Sequence, residues 1–266
     1  MRRLQNAILL SSIILLFGCR HEVKETPSPS CKLMVFAASS LSDLTEAVRV
    51  AFEKDYPTCQ VSFNFGASNA LGMQIEAGAR ADVFLSAAAA PVDHLLNSAK
   101  VELGPKRVLF SNRLAIITNR SNPIEIKDSC ALKDANLEHL AIGQPDAVPA
   151  GIYAKEYLSK LSCGGVTPWA VLEPKLLPMP NVRAVLSVVE QQPKLAGVVY
   201  VSDALSSKAV KVQFVVQGPD APRINYWGIR VGCPSRAPFA DALLLEFYKP
   251  EVQNVIRQLG FVLDKS

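Results

Sequence analysis

From Cys31 onward the chain switches repeatedly between apolar runs of strand length and longer stretches with helical periodicity. That alternation narrows the fold more than any other feature, because strands separated by helices pair in parallel through right-handed crossovers. "KLMVFAA" (32–38) is a continuous apolar run, as a strand covered on both faces requires. Next, Leu41, Leu44, Val48 and Phe52 recur at helical spacing, with Pro57 just past the end. "QVSFNF" and "ADVFLSA" read as further strands, "ALGMQIEAGA" and "PVDHLLNSA" as further helices.

"RVLFSNRLAIIT" (107–118) is a long strand pattern broken at Ser111 and Asn112, a place where the chain can pass into a second lobe. The same rhythm restarts there and runs to "VKVQFVV" (210–216). "RINYWGIRV" (223–231) reads as a second crossing strand, and the helical stretch 238–261 as a return to the first lobe. The expected fold class is α/β. Each of two lobes is a mixed, mostly parallel sheet flanked by helices, and two crossing strands join them. Residues 31–111 and 227–266 form lobe I, and residues 112–226 form lobe II. Such a layout leaves a cleft between the lobes, outside the carboxyl ends of the strands, where ligands of open α/β sheets bind.

Residues 1–18 stand apart from this pattern. Arg2 and Arg3 precede an apolar run, about Ala7 to Phe17, that is too short to span a bilayer and is built like a signal peptide. Leu16-Phe17-Gly18-Cys19 has the form of a lipoprotein processing site with Cys19 as the lipidated residue; a plain secretory cleavage nearby is the alternative. Residues 19–30 are polar, contain Pro27 and Pro29, and read as a flexible tether. Removing residues 1–18 takes away Arg2 and Arg3 and lowers the net charge from +4 to +2. So slight a balance, with no basic stripe, argues against nucleic acid as a partner. Cys31, Cys59, Cys130, Cys163 and Cys233 show no CxxC spacing, so a zinc site is not expected. Export favours disulfides. Cys31 and Cys59 each begin a strand, and adjacent parallel strands set them side by side.

Several strand-to-helix junctions carry small polar residues or bare backbone. They are "FAASSLSD" with Ser39 and Ser40, "FGASNAL" with Ser68, "DAVPAGIY" with Ala150, and "MPNVRAVL" with Asn181 and Val182. Helix starts leave free N–H groups and a positive dipole end, so each can hold an anion. Serine and asparagine before helices are also ordinary caps, and the number of such junctions on one side of two lobes is what favours a site. "GVVYVSD" ends a strand at Tyr200, whose hydroxyl can reach the cleft. "GASNA" is also close to a nucleophile elbow. A hydrolase of that kind needs a histidine late in the chain, and the 127 residues after His139 contain none.

"VFAASSL", "FGASNAL", "QIEAGARADVFLSA", "IGQPDAVPAGIYAKEYL", "NVRAVLSVVE" and "AGVVYVSDA" together resemble the molybdate-binding proteins that serve ABC importers, in that family's order from about Lys32 to Phe261. The resemblance implies an oxyanion held without counter-charge by the hydroxyls of Ser40, Ser68 and Tyr200 and the backbone amides of Ala150 and Val182. It departs at Ser39, where the family usually has alanine; this either shifts the frame or adds a donor. It also implies an exported, periplasmic or cell-surface monomer that delivers molybdate or tungstate to a membrane permease. No cofactor, no further metal and no catalysis go with it. Binding of another oxyanion such as sulfate or thiosulfate, hydrolysis through Ser68, and an exported sensory module are the alternatives. An all-donor site suits a fully deprotonated dianion and disfavours phosphate, which keeps a proton near pH 7. Arg183 is expected to face solvent, Met73 and Met179 to pack, His94 and His139 to have surface or structural roles, and Trp169 and Trp227 to be buried.

Overall fold

The computed structural model describes residues 31–263 apart from 99, 122 and 233. The signal peptide, the tether, lipidation at Cys19 and the state of Cys233 therefore lie outside the described residues. The chain runs β1 (Cys31–Ala38), a 3-10 turn (Ser39–Leu41), α1 (Ser42–Asp55), β2 (Cys59–Gly66), α2 (Ser68–Glu76), β3 (Val83–Ser86), α3 (Ala89–Ser98) and β4 (Arg107–Asn112). After Arg113 come β5 (Leu114–Asn119), β6 (His139–Gly143), α4 (Pro149–Lys160), α5 (Pro168–Leu172), β7 (Leu176–Met179), α6 (Val182–Gln191), β8 (Leu195–Tyr200), α7 (Val201–Ser206) and β9 (Val210–Val215). β10 (Ile224–Arg230), α8 (Ala237–Glu246) and α9 (Pro250–Gln258) close the described chain.

Two five-stranded sheets result, in the orders β2-β1-β3-β10-β4 and β7-β6-β8-β5-β9. Each carries two parallel and two antiparallel pairings. The antiparallel ones involve the strands on either side of the two crossings, since a chain that leaves one sheet and re-enters it comes back in the reverse sense. The first crossing is the single residue Arg113 between β4 and β5. The second is the segment 216–223, and "RINYWGIRV" does not itself cross. Its strand β10 lies wholly in the first sheet, with Ile224 opposite Asn112. Asn112 and residues 224–226 therefore belong to the first sheet, a shift of one and three residues from the expected lobe boundaries.

Apolar strand runs are buried as the uninterrupted pattern demands. Leu33, Val35, Val83 and Leu85 are buried against α1, whose Leu44, Val48 and Phe52 face the sheet. Phe36 and Phe84 pack on the other side with Leu71 and Ile75 of α2. Each such side chain stabilises the fold by roughly 1.5–3 kcal/mol through removal from water. Cys31 stands opposite Cys59 in the parallel pairing and is disulfide-bonded to it, as the strand starts imply. A second disulfide joins Cys130 to Cys163, two loop cysteines whose approach no strand pattern announces.

Candidate functional site

The carboxyl ends of strands from both sheets converge on one cleft. Ser39 and Ser40 lie in the turn after β1, Ser68 begins α2 beyond β2, and Ala87 follows β3. From the other lobe come Tyr200 at the end of β8 and the first turns of α4 and α6, with Ala150 and Val182. All six candidate residues, Ser39, Ser40, Ser68, Ala150, Val182 and Tyr200, line this cleft. Its unfilled space is about 210 Å3, counted out to open solvent. None of the lining residues among those described carries a charge.

Local chemistry puts backbone amides at the cleft. Pro149 takes the first position of α4, where its missing N–H would have had no partner and its fixed φ suits the helix. Gly151 follows because a Cβ there would lie 2.0 Å from the carbonyl oxygen of Gly143. The start of α4 thus presses against the end of β6, closer than any other residue allows. Asn181 caps α6, its side-chain oxygen accepting from the Ala184 amide at 3.0 Å. First-turn amides such as those of Ala150 and Val182 have no carbonyl within their helix to bond, and the helix dipole adds positive potential there.

The hydroxyls differ in how they are held. Ser68 Oγ accepts from the Ala87 amide at 3.0 Å, so its own hydrogen stays available. Ser40 Oγ lies 2.7 Å from Tyr226 Oη. Tyr200 Oη is buried and has no hydrogen-bond partner in the protein. Burial, reinforced by Tyr226, Tyr153 and Asp203 nearby, pushes the Tyr200 phenol well above its ordinary pKa. It remains a neutral donor aimed at whatever enters.

Tyr226 and Arg183 are the residues that sequence reading missed. Tyr226 is fully buried on β10, its ring 5.9 Å from that of Tyr200 in edge-on contact. The expectation that Arg183 faces solvent is corrected. Its Nη2 pairs with Asp43 of α1 on the opposite lobe, and its Nη1 donates to Ser206 at 3.1 Å. Its Nε lies 2.8 Å from Asp203 Oδ1, near enough for charge pairing although not aligned as a hydrogen bond. Burial pushes the Asp203 carboxyl up to about 7, with Arg183 opposing that rise. No local pattern could reveal this bridge; its only trace is that Asp43 follows Ser40 by three residues and Arg183 directly follows Val182.

Other expectations fall outside the cleft. His94 pairs with Glu76, and His139 lies 3.3 Å from the Lys175 carbonyl. Met73 is 67% exposed on α2 instead of packed. Trp169 and Trp227 are half-buried, each beneath a lysine, Lys155 and Lys106 respectively. Among the described residues no group of three or more histidine, cysteine or acidic side chains could hold a metal ion.

A two-lobed α/β fold with an uncharged, donor-lined cleft at the strand ends defines a solute-binding architecture. The chain belongs to the family of bacterial extracellular solute-binding proteins, which it matches over residues 33–262. Among individual relatives, it is 38% identical over 200 residues to the molybdate-binding protein ModA of Escherichia coli (strain K12), covering 73% of this chain and 75% of that one. It is 34% identical over 204 residues to the putative ABC transporter substrate-binding lipoprotein YvgL of Bacillus subtilis (strain 168), covering 76% of each. The fold is shared with the periplasmic molybdate-binding protein of Azotobacter vinelandii, at TM-score 0.74 and 19% identity over 88% of this chain and 100% of that one. It is shared equally with the sulfate-binding protein SubI of Mycobacterium tuberculosis, at TM-score 0.74 and 17% identity over 88% of each. At these identities the structural likeness concerns the fold alone.

Proposed function

We propose that this protein captures molybdate or tungstate in the interlobe cleft and delivers it to the permease of an ABC importer. The single observation that carries the reading is the Tyr200 hydroxyl, buried without a partner in a cleft whose lining is uncharged. An unsatisfied buried donor is held at a cost of roughly 1–3 kcal/mol unless an acceptor completes it. Ser40, Ser68 and the amides of Ala150 and Val182 supply further donors, and five of them suit a tetrahedral dianion. The relatives named for molybdate support this cargo over sulfate.

Ser68 acts here as a donor: its oxygen already accepts from the Ala87 amide, and membership of a solute-binding family supports capture over catalysis. No cofactor is needed for capture. Membership of an extracellular family fits export, and the lipoprotein relative supports an anchor on Cys19. Among the described residues no helix is long and apolar enough to cross a membrane. The protein works as a monomer, each chain holding one complete site.

Titration calorimetry with a panel of oxyanions tests the cargo. Molybdate and tungstate are expected to bind tightly and sulfate weakly; tight sulfate binding with no heat from molybdate would reassign it. Cys19→Ala is expected to move the protein from the membrane to the soluble fraction.

A further inference from the structure

The two serines of the first lobe are oriented by different kinds of neighbour. Ser68 Oγ receives a hydrogen bond from the Ala87 amide, a group that can only donate. Ser40 Oγ meets a phenol, Tyr226 Oη, at 2.7 Å, and either oxygen could supply the hydrogen. If Ser40 donated to Tyr226, its hydrogen would be spent inside the protein and the cleft would face a lone pair. The Asn112 side-chain amide donates to Ser202 Oγ at 2.9 Å. A fully deprotonated oxyanion can only accept, so with one in the cleft the Ser40 hydrogen goes to the anion and the phenol hydrogen is left for Ser40 Oγ. Burial also holds the Tyr226 phenol well above its ordinary pKa, so that hydrogen is retained.

We propose that Tyr226 is a positioning residue of the anion site: it donates to Ser40 Oγ, turns the Ser40 hydrogen into the cleft, and so restricts that position to fully deprotonated oxyanions. The inference rests on the oxyanion reading of the cleft given above. Its consequence is for selectivity more than for affinity. A monohydrogen oxyanion needs an acceptor for its proton, and with Tyr226 on one of its two lone pairs Ser40 presents its hydrogen to the cleft in preference to the other lone pair. Backbone orientation of Ser68 cannot be removed by mutation, whereas that of Ser40 can. Tyr226 also sits on β10, just past the crossing segment, with its ring between those of Phe110, Phe261 and Tyr200. The orientation of a first-lobe donor is therefore built against the second lobe's phenol.

Tyr226→Phe tests the proposal, because phenylalanine keeps the ring contacts and removes only the hydroxyl. Binding of molybdate and of phosphate is measured by calorimetry near neutral pH on four proteins: the wild type, Tyr226→Phe, Ser40→Ala and the double variant. Wild-type protein that bound no tetrahedral dianion would overturn the oxyanion reading and this inference together. With wild-type binding in hand, Tyr226→Phe is expected to weaken molybdate by roughly tenfold, the effect of one misdirected charge-assisted hydrogen bond. Phosphate is expected to hold or gain, so that the molybdate-to-phosphate ratio falls. In the Ser40→Ala background the same change is expected to alter neither ion by more than about twofold, since the residue it acts through is gone. An unchanged ratio in Tyr226→Phe, or an equal loss with and without Ser40, would overturn the inference while leaving the oxyanion site intact. A Tyr226→Phe protein that had lost its fold would overturn it too, because the hydroxyl would then be structural.

Discussion

The two lobes prepare their halves of the cleft in opposite ways. The first lobe presents hydroxyls that are already braced, Ser68 by the Ala87 amide and Ser40 by Tyr226. The second presents bare first-turn amides at α4 and α6 and the unpartnered phenol of Tyr200. A braced donor is oriented before any ligand arrives and gains little order on binding. An unpartnered one is a standing cost that an incoming acceptor removes. The first half is therefore preorganised, and the second gains most from being closed over an anion, which is how a ligand shifts the population toward the closed form. Arg183 links the halves directly, since it follows Val182 in the second lobe and pairs with Asp43 in the first.

The largest effect is expected from Ser68→Asp. It sets a carboxylate in an uncharged cleft where a dianion must sit, and calorimetry should detect no molybdate binding at any accessible concentration. Retained binding would mean that the anion lies elsewhere and the braced half is not its site.

A pair of milder variants separates the two halves. Ser68→Ala and Tyr200→Phe each remove one charge-assisted hydrogen bond, about 1.5–3 kcal/mol, or roughly ten- to a hundredfold in affinity. Their effects on the ligand-free protein should diverge. Ser68→Ala leaves the buried Ala87 amide without its partner and should lower the melting temperature. Tyr200→Phe removes an orphan and should leave it unchanged or raise it. Equal destabilisation by both would erase the distinction between braced and unbraced donors.

Loss of the interlobe bridge comes next. Asp43→Asn removes the pairing with Arg183 while leaving Arg183 beside Asp203, and because Asp43 is 41% exposed the electrostatic loss is about 0.5–1 kcal/mol after solvent screening. A few-fold faster release of molybdate in stopped-flow is expected, with association nearly unchanged. A wild-type release rate would show that the bridge does not hold the lobes together.

The last prediction concerns pH. The Asp203 carboxyl is raised by burial to about 7 against the opposing charge of Arg183, with Asp43 on α1 adding to the rise. Between about pH 4 and 7 the folded protein keeps a proton there that the unfolded chain has released, so this group's contribution to stability falls as pH rises through that window and levels off above it. Melting temperatures of the wild type and Asp203→Asn should accordingly diverge across the window, the wild type losing ground toward pH 7. Parallel curves would place the Asp203 carboxyl at an ordinary pKa.

Much of this molecule was legible in its order of residues, and the parts that were not share a cause. Strand and helix positions follow from apolar periodicity over neighbouring residues, and most of the site follows from them. A Pro-Ala-Gly helix start, an Asn cap before Val182 and a serine at a strand end each create their donor locally. Even the Cys31–Cys59 disulfide needed only two strand starts and a parallel pairing. The crossing at 216–223 was misplaced because "RINYWGIRV" carries a sound strand pattern with no mark of which sheet it joins. Trp227, expected to be buried, is half-buried against the smaller cluster, while its neighbour Tyr226 enters the larger core. Sequence by itself thus determined the lobes' repeating α/β pattern and the donors that line the cleft. Tertiary structure alone decided how those donors are aimed and tied together, because Ser40 and Tyr226 are 186 residues apart and Asp43 and Arg183 are 140 apart. Contacts at such separations arise from sheet order and lobe packing, which no local period encodes.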